Sequence, residues 1–230
     1  MGSRNIRQMD YRIEGELAQV AHLEFMHGEA CWASKGSILQ IDLDLQWQLK
    51  VPGDLAAVGS RMLSGEGIAM TYFEGTRTGQ KVSLTANQPG KIMPWDLVND
   101  GPVVTTRGSF VAAWGEAVNI EVTMAKRAGA AFFGGAGLFL QKVSGTGTAL
   151  IHGAGDFVER NLAPDEEMLV STGNLAAFAQ SVDYNIRGVA GCRKMIFGGE
   201  GLFMVHLTGP GRVLLQSMKR VTPGQQGSHR

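Results

Sequence analysis

An eleven-residue stretch framed by glycines occurs three times in this chain, and that recurrence limits its possible folds more than any other feature. The copies are GEGIAMTYFEG at 65–75, GAGLFLQKVSG at 135–145 and GEGLFMVHLTG at 199–209. Glycine holds the first, third and last positions, so Gly67, Gly137 and Gly201 each stand eight residues before Gly75, Gly145 and Gly209. The fourth and sixth positions are aliphatic or Met: Ile68 and Met70, Leu138 and Leu140, Leu202 and Met204. The ninth is apolar in every copy, as Phe73, Val143 and Leu207. Three matches to one template indicate a structural repeat.

A second motif keeps step with the first. ACWASKGSILQI (30–41), VVTTRGSFVAAW (103–114) and MLVSTGNLAAF (168–178) each join two short apolar runs through Gly-Ser or Gly-Asn. A glycine that opens a two-residue loop supplies the positive φ a tight hairpin needs at its first central residue, so the pattern predicts three hairpins. Gly36, Gly108 and Gly173 lie 72 and 65 residues apart, while Gly67, Gly137 and Gly201 lie 70 and 64 apart. Each unit therefore reads hairpin, connector, glycine-bounded strand pair. The strand pairs turn at TRTG, at Gly145-Thr146-Gly147 and at Gly209-Pro210-Gly211, and VSLTA, TALIHG and RVLLQS follow. The first two units run on in parallel at an offset of 65: Gly90 with Gly155, Leu97 with Leu162, Val103 with Met168.

Ahead of these motifs, QVAHLEF (19–25) alternates as a strand, with Val20 and Leu23 as candidates for burial, before a turn at His27-Gly28. LAAVGSRML (55–63) reads at most as a short helical turn. Short strands punctuated by glycine turns indicate an all-β sandwich or barrel. One such unit alone would leave apolar edges exposed, and three packed about a pseudo-threefold axis would bury them against one another. The expected fold is all-β: three intertwined pseudo-threefold repeats (17–100, 101–165 and 166–218) forming one barrel- or prism-like domain over 1–218. KRVTPGQQGSHR then reads as a mobile polar tail, 219–230.

Composition sets the bounds on function. The 32 glycines among 230 residues are about twice the ~7% background, which suits many tight turns. Lys plus Arg and Asp plus Glu are both 21, so the formal charge is zero. Nucleic-acid binding draws most of its affinity from phosphate neutralisation, and this chain lacks the basic surplus such binding uses, although a local patch is compatible with it. Cys31 and Cys192 have no CxxC partner and read as free thiols of a reducing compartment. MGSRNIRQMDYRIEGEL has no apolar signal core and no run is long enough to span a membrane as a helix, so a cytoplasmic protein is expected.

The GEGLF strand with Gly-Pro-Gly-x-Val after it (199–213), GLFLQKVSGTG (137–147) and LVSTGNLAAF (169–178) resemble the altered-inheritance-of-mitochondria family, a mitochondrial biogenesis family. Its bacterial members are largely described as a domain of unknown function. The resemblance spans about residues 17 to 217. It implies a fold similar to the trp RNA-binding attenuation protein, and it brings no catalytic residues. Ala136 replaces the GEG glutamate in the middle copy, so a carboxylate role there exists in at most two repeats.

The candidate binding residues sit at matching places in the repeats. Glu66 and Glu200 are each flanked by glycines, and Arg61, then Lys126 and Arg127, then Arg193 and Lys194 precede the glycine motifs. The carboxylates suit hydrogen bonds from turn amides or pairing with Arg61 and Arg193. The cations could form a basic ring. The histidines are scattered: His22 and His27 with Glu29 lack the HxH pairing of a β-barrel metal site, and His206 reads as a half-exposed strand position. Glycine runs such as GGAG (134–137) lead into no helix that would cradle phosphate, and no GxSxG is present. Trp47 and Trp95 lie in less regular segments and are candidates for a partner-facing surface.

With no convergent catalytic set, the leading expectation is a non-enzymatic binding or scaffolding protein, homo-oligomeric, needing no cofactor or metal. The alternatives are an RNA- or small-ligand-binding module, and a metal-dependent β-barrel enzyme.

Overall fold

The structure is a computed structural model that describes residues 9–52, 69–124, 139–188 and 203–220. It is all-β. A first strand, β1 (Asp10–Glu14), precedes six: β2 (Val20–Phe25), β3 (Ala30–Ala33), β4 (Ile38–Ile41), β5 (Gln46–Lys50), β6 (Met70–Glu74) and β7 (Gln80–Thr85). The middle of the chain forms β8 (Gly90–Asp96), β9 (Val103–Thr106) and two long strands, β10 (Phe110–Met124) and β11 (Phe139–Ala154). The last part forms β12 (Phe157–Leu162), β13 (Glu167–Ser171), β14 (Leu175–Ala179), β15 (Asp183–Gly188), β16 (Phe203–Thr208) and β17 (Gly211–Gln216).

The ladders between these strands are antiparallel and fall into three sheets. Four strands run β1-β2-β7-β4, and three run β13-β16-β15. The large sheet runs β12-β17-β14-β9-β11-β10-β3-β6-β5, with β8 also paired to β11. Among the described residues no barrel closes: β4 pairs only with β7 and β13 only with β16, which leaves an edge on each in place of the barrel form expected from the motifs.

The expected hairpins are not hairpins either. β3 and β4 flank one tight turn yet do not pair: β3 joins β6 and β10, and β4 joins β7. Likewise β9 joins β11 and β14, while the β10 that follows it joins β11 and β3. The turns themselves are real. Ser37 N donates to Ser34 O and Ser109 N to Thr106 O, with Gly36 at φ +82° and Gly108 at φ +75°. Glycine thus fills the second central position of a β-turn, after Lys35 or Arg107, one place later than the expected frame. A turn reverses the chain locally but does not choose the partner strand: β3 and β4 leave for different sheets, while β9 and β10 lie on either side of β11 in the large sheet. At Gly145-Thr146-Gly147 there is no chain reversal at all: β11 runs straight through, opposite a register shift in β10 between Glu116 and Asn119.

Alternation does place the core of the first part. In β2, Ala21, Leu23 and Phe25 are buried and Val20 is half-buried, so Leu23 lies on the inward face and Val20 does not. Trp95, expected at a partner surface, is fully buried on β8, where its Nε1–H donates to Gly101 O at 2.9 Å. Trp47 on β5 is 53% exposed, as that expectation required. β9 and β14 are buried on both faces, and each runs between two strands inside the large sheet. Cys31 is buried and free, and burial pushes its thiol far up from the ordinary value. Cys192 lies outside the described residues.

Gly90 marks a close backbone approach between the first and middle parts of the chain. It forms parallel bridges with Ala18 on one side and Gly155 on the other. A Cβ there would overlap Gly153 O and sit 2.8 Å from His152 Nε2 and 3.0 Å from Ala154 Cα. We expect Gly90→Ala to lose about 3 kcal/mol of stability through this overlap. Gly28→Ala meets no atom within 4 Å and loses only the cost of φ +84°, about 1–2 kcal/mol. Urea denaturation of the two variants checks this, and equal losses would contradict the packing account.

Candidate functional site

The corner turns converge on one pocket. A cavity of about 240 Å³ opens between the Ser34–Ser37 turn and the Arg107–Gly108 turn, with Asn87, Phe139, Gln141 and Arg220 completing much of its wall. Three cations line it, Lys35, Arg107 and Arg220, and among the described residues no Asp or Glu does. The two turn residues owe their position to the glycine that follows each, because that geometry presents the preceding side chain at the corner. Arg107 also lies over the Phe139 ring, 5.3 Å from its centroid.

Arg220 arrives from the other end of the chain and is the best-anchored of the three. Its backbone N donates to Gly173 O at 2.9 Å, fixing it beside the third corner. The guanidinium donates to Gly108 O, to His152 Nδ1 at 2.9 Å and to Gln216 Oε1 at 3.2 Å. Its Nε is buried without a hydrogen-bond partner. Burial lowers its pKa to about 10, which still leaves it cationic at neutral pH. A buried cation normally has a carboxylate beside it. Among the described residues none of these three cations is ion-paired.

Gln216, 2% exposed, carries the same junction. Its Nε2 donates to Gly173 O and its Oε1 accepts from Ala154 N. Gly108 must remain glycine for a second reason besides its φ, since a Cβ would fall 2.5 Å from Arg220 Nη1. His152 is 1% exposed and accepts from Arg220 at Nδ1, so the ring is held neutral. Burial first, and the Arg220 charge second, bring its pKa down to about 4.

A larger cavity of about 580 Å³ lies elsewhere, lined by Glu29, Asp96, Glu116 and Trp114 among others. Two of its acids serve the backbone: Glu29 accepts from Met26 N, and Asp96 from Val98 N and Asn99 N. Those carboxylates are turn caps, so the cavity offers less chemistry than its size suggests. Among the described residues no group of three or more His, Cys, Asp or Glu is arranged to hold a metal ion. His22 instead meets Ser83 and Glu14, and His206 meets Glu167. At 8% exposure His206 is buried, not half-exposed.

The residues singled out from sequence, Arg61, Glu66, Lys126, Arg127, Arg193, Lys194 and Glu200, lie outside the described residues. The pocket cations were missed. Lys35 and Arg107 were legible as the basic residue before each turn glycine. Arg220 was assigned to a mobile tail, whereas backbone and side-chain bonds fix it.

Residues 11–218 match the family described as Mitochondrial biogenesis AIM24. The chain belongs to that family. Arg220 stands just beyond the matched span, so the family pattern alone does not reach it. No curated protein matches the chain in sequence. Among solved structures, the chain resembles protein SPYM3_0169 from Streptococcus pyogenes, with a TM-score of 0.75 and 22% identity. That likeness covers 92% of this chain and 94% of the other, and at this identity it shows the fold alone. Among the described residues no helix is long and apolar enough to cross a membrane.

His152 makes the junction sensitive to acid. Its folded pKa is below the ordinary 6.5, so between pH 6.5 and about 4 the unfolded chain binds the extra proton. Stability is unaffected above that window and falls by about 3 kcal/mol as pH drops through it. Urea denaturation against pH should show this slope in the native chain and lose it in His152→Gln. Asp44 and Asp96, whose pKa values are lowered by hydrogen bonds from Arg77 and from the Asn99 and Val98 amides, act only below about 3.8. An unchanged slope in the variant would remove His152 as its source.

Proposed function

We propose that this protein is a non-catalytic binding protein that holds an anionic group, a phosphate or a carboxylate, in the pocket between the Lys35 and Arg107 corners. The observation that carries the reading is three cations, one of them half-buried, lining a cavity that has no Asp or Glu among its described residues. Burying charge without a counter-ion is costly, so an arrangement of this kind is completed by a ligand of opposite sign. The Asn87 and Gln141 amides add neutral donors on the same walls, while the Ser34 and Ser37 hydroxyls already donate to Phe110 O and Ser34 O. The volume suits a small anion or the charged end of a larger ligand better than a whole nucleotide. A chain of zero net charge with a local basic pocket fits such selectivity better than it fits bulk RNA binding.

The non-catalytic part of the reading rests on the same walls. Arg and Lys at neutral pH have no proton to take up, and the one histidine at the junction is held neutral and buried by Arg220.

Titration calorimetry with inorganic phosphate, acetate and a short single-stranded RNA tests the proposal. We expect one site per chain for a small anion, weakened by added salt. Arg107 is exposed, so Arg107→Gln should leave the fold intact and weaken binding about tenfold or more, the scale of one charge-assisted hydrogen bond. Phosphate binding without acetate binding would assign a phosphate ligand, and the reverse a carboxylate. Binding of RNA alone, or no response of any probe to Arg107→Gln, would overturn the reading.

A further inference from the structure

The pairing scheme leaves one joint unmade. β3 pairs with the first part of β10, placing Ala33 opposite Ala112 and Trp32 opposite Ala113. β9 pairs with β14 in the matching register, Thr105 opposite Ala177 and Val104 opposite Phe178. The strand before the last corner, β13, and the strand after the first, β4, have no such partner among the described residues.

Three details show that β4 and β13 are built for the same joint. Each receiving strand carries a register shift against its other neighbour: between Phe110 and Ala112 in β10, Leu175 and Ala177 in β14, and Ile38 and Gln40 in β4. The residue inside the shift is buried where the joint is made, Val111 at 1% and Ala176 at 0%, whereas Leu39 is 57% exposed. On the donating side, Val104 is 8% exposed and the matching Leu169 is 56%. The joints are also latched by a hydroxyl: Ser34 Oγ donates to Phe110 O, and Thr106 Oγ1 to Leu175 O at 2.7 Å. Ser171, at the corresponding end of β13, has no side-chain partner among the described residues.

We propose that the missing joint is made between two copies of this chain, the free edge of β13 in one pairing antiparallel with the free edge of β4 in the other. The made joints fix its register: Leu169 opposite Ile41, Val170 opposite Gln40, and the Ser171 hydroxyl on Ile38 O. The occupant is a second copy because this chain carries both halves of the joint, each with an exposed leucine and an unpaired edge. Such an edge is a ready template for another strand. The joint is head-to-tail, so association continues beyond a dimer unless a ring closes. A ladder of four or five residues buries little area, which places the affinity at about micromolar or weaker. This inference is independent of the anion pocket, which lies within one chain.

An Ile41→Cys, Leu169→Cys double variant in a Cys192→Ser background tests it, because residues directly opposite in an antiparallel pair are within disulfide reach. Oxidation should give a ladder of covalently linked chains on a non-reducing gel, growing with protein concentration. A cross-link formed only within one chain, or none at all, would overturn the proposal. Sedimentation velocity of the unaltered chain supplies a second measurement. Its mass should rise between about 1 µM and about 1 mM, and Leu39→Lys or Leu169→Lys, each on an exposed side chain, should abolish the rise. A monomer throughout that range would defeat the idea even if the cysteine variant failed to fold.

Discussion

At each sharp corner of this chain the two arms leave for other strands instead of pairing with each other, and the rest of the structure depends on that division. β3 and β4 are separated by four residues, but the backbone groups of β3 are satisfied by β6 and β10, and those of β4 by β7. Unpaired backbone N–H and C=O groups inside a core are expensive, so no segment can complete itself locally. The first part of the chain is held by the middle, and the middle by the last part. Ala112, Ala113 and Ala177 are fully buried at these joints, where small side chains let ladders and core layers meet. Glycines at close approaches, above all Gly90 between Ala18 and Gly155, let the backbones touch.

The same division creates the pocket. Corners that would be hairpin tips in a simple meander are instead gathered where sheets separate, and they bring basic residues with them. Arg220 secures this gathering from the far end of the sequence, bonded to the backbone at Gly108 and Gly173 and to His152. Among the described residues its charge has no carboxylate partner, while elsewhere the surface pairs its charges readily, as in the Arg212 contacts with Asp100 and Glu159. The contrast supports reading the pocket as a place for a ligand instead of one more surface network.

Strand content and the family were legible in sequence because alternation and glycine spacing report directly on local backbone geometry. The positive φ at Gly36 and Gly108 was legible for the same reason. Pairing partners were not. A turn signal says that the chain changes direction, but not that its arms bond to each other, and the three expected hairpins failed on that point. Trp95 shows the same limit: an irregular neighbourhood suggested exposure, while tertiary packing buried it completely. His206 and Val20 differ from expectation because which face of a strand is covered depends on what lies across it.

The sequence by itself determined an all-β chain with recurring glycine-framed strands and membership of its family, since these follow from local periodicity and residue identity. Tertiary structure alone decided which strands share ladders, that β4 and β13 are sheet edges among the described residues, and that Lys35, Arg107 and Arg220 meet at one cavity. The reason is physical. Hydrogen-bond partners and charge neighbours here lie dozens of residues apart, and only the folded chain sets those distances.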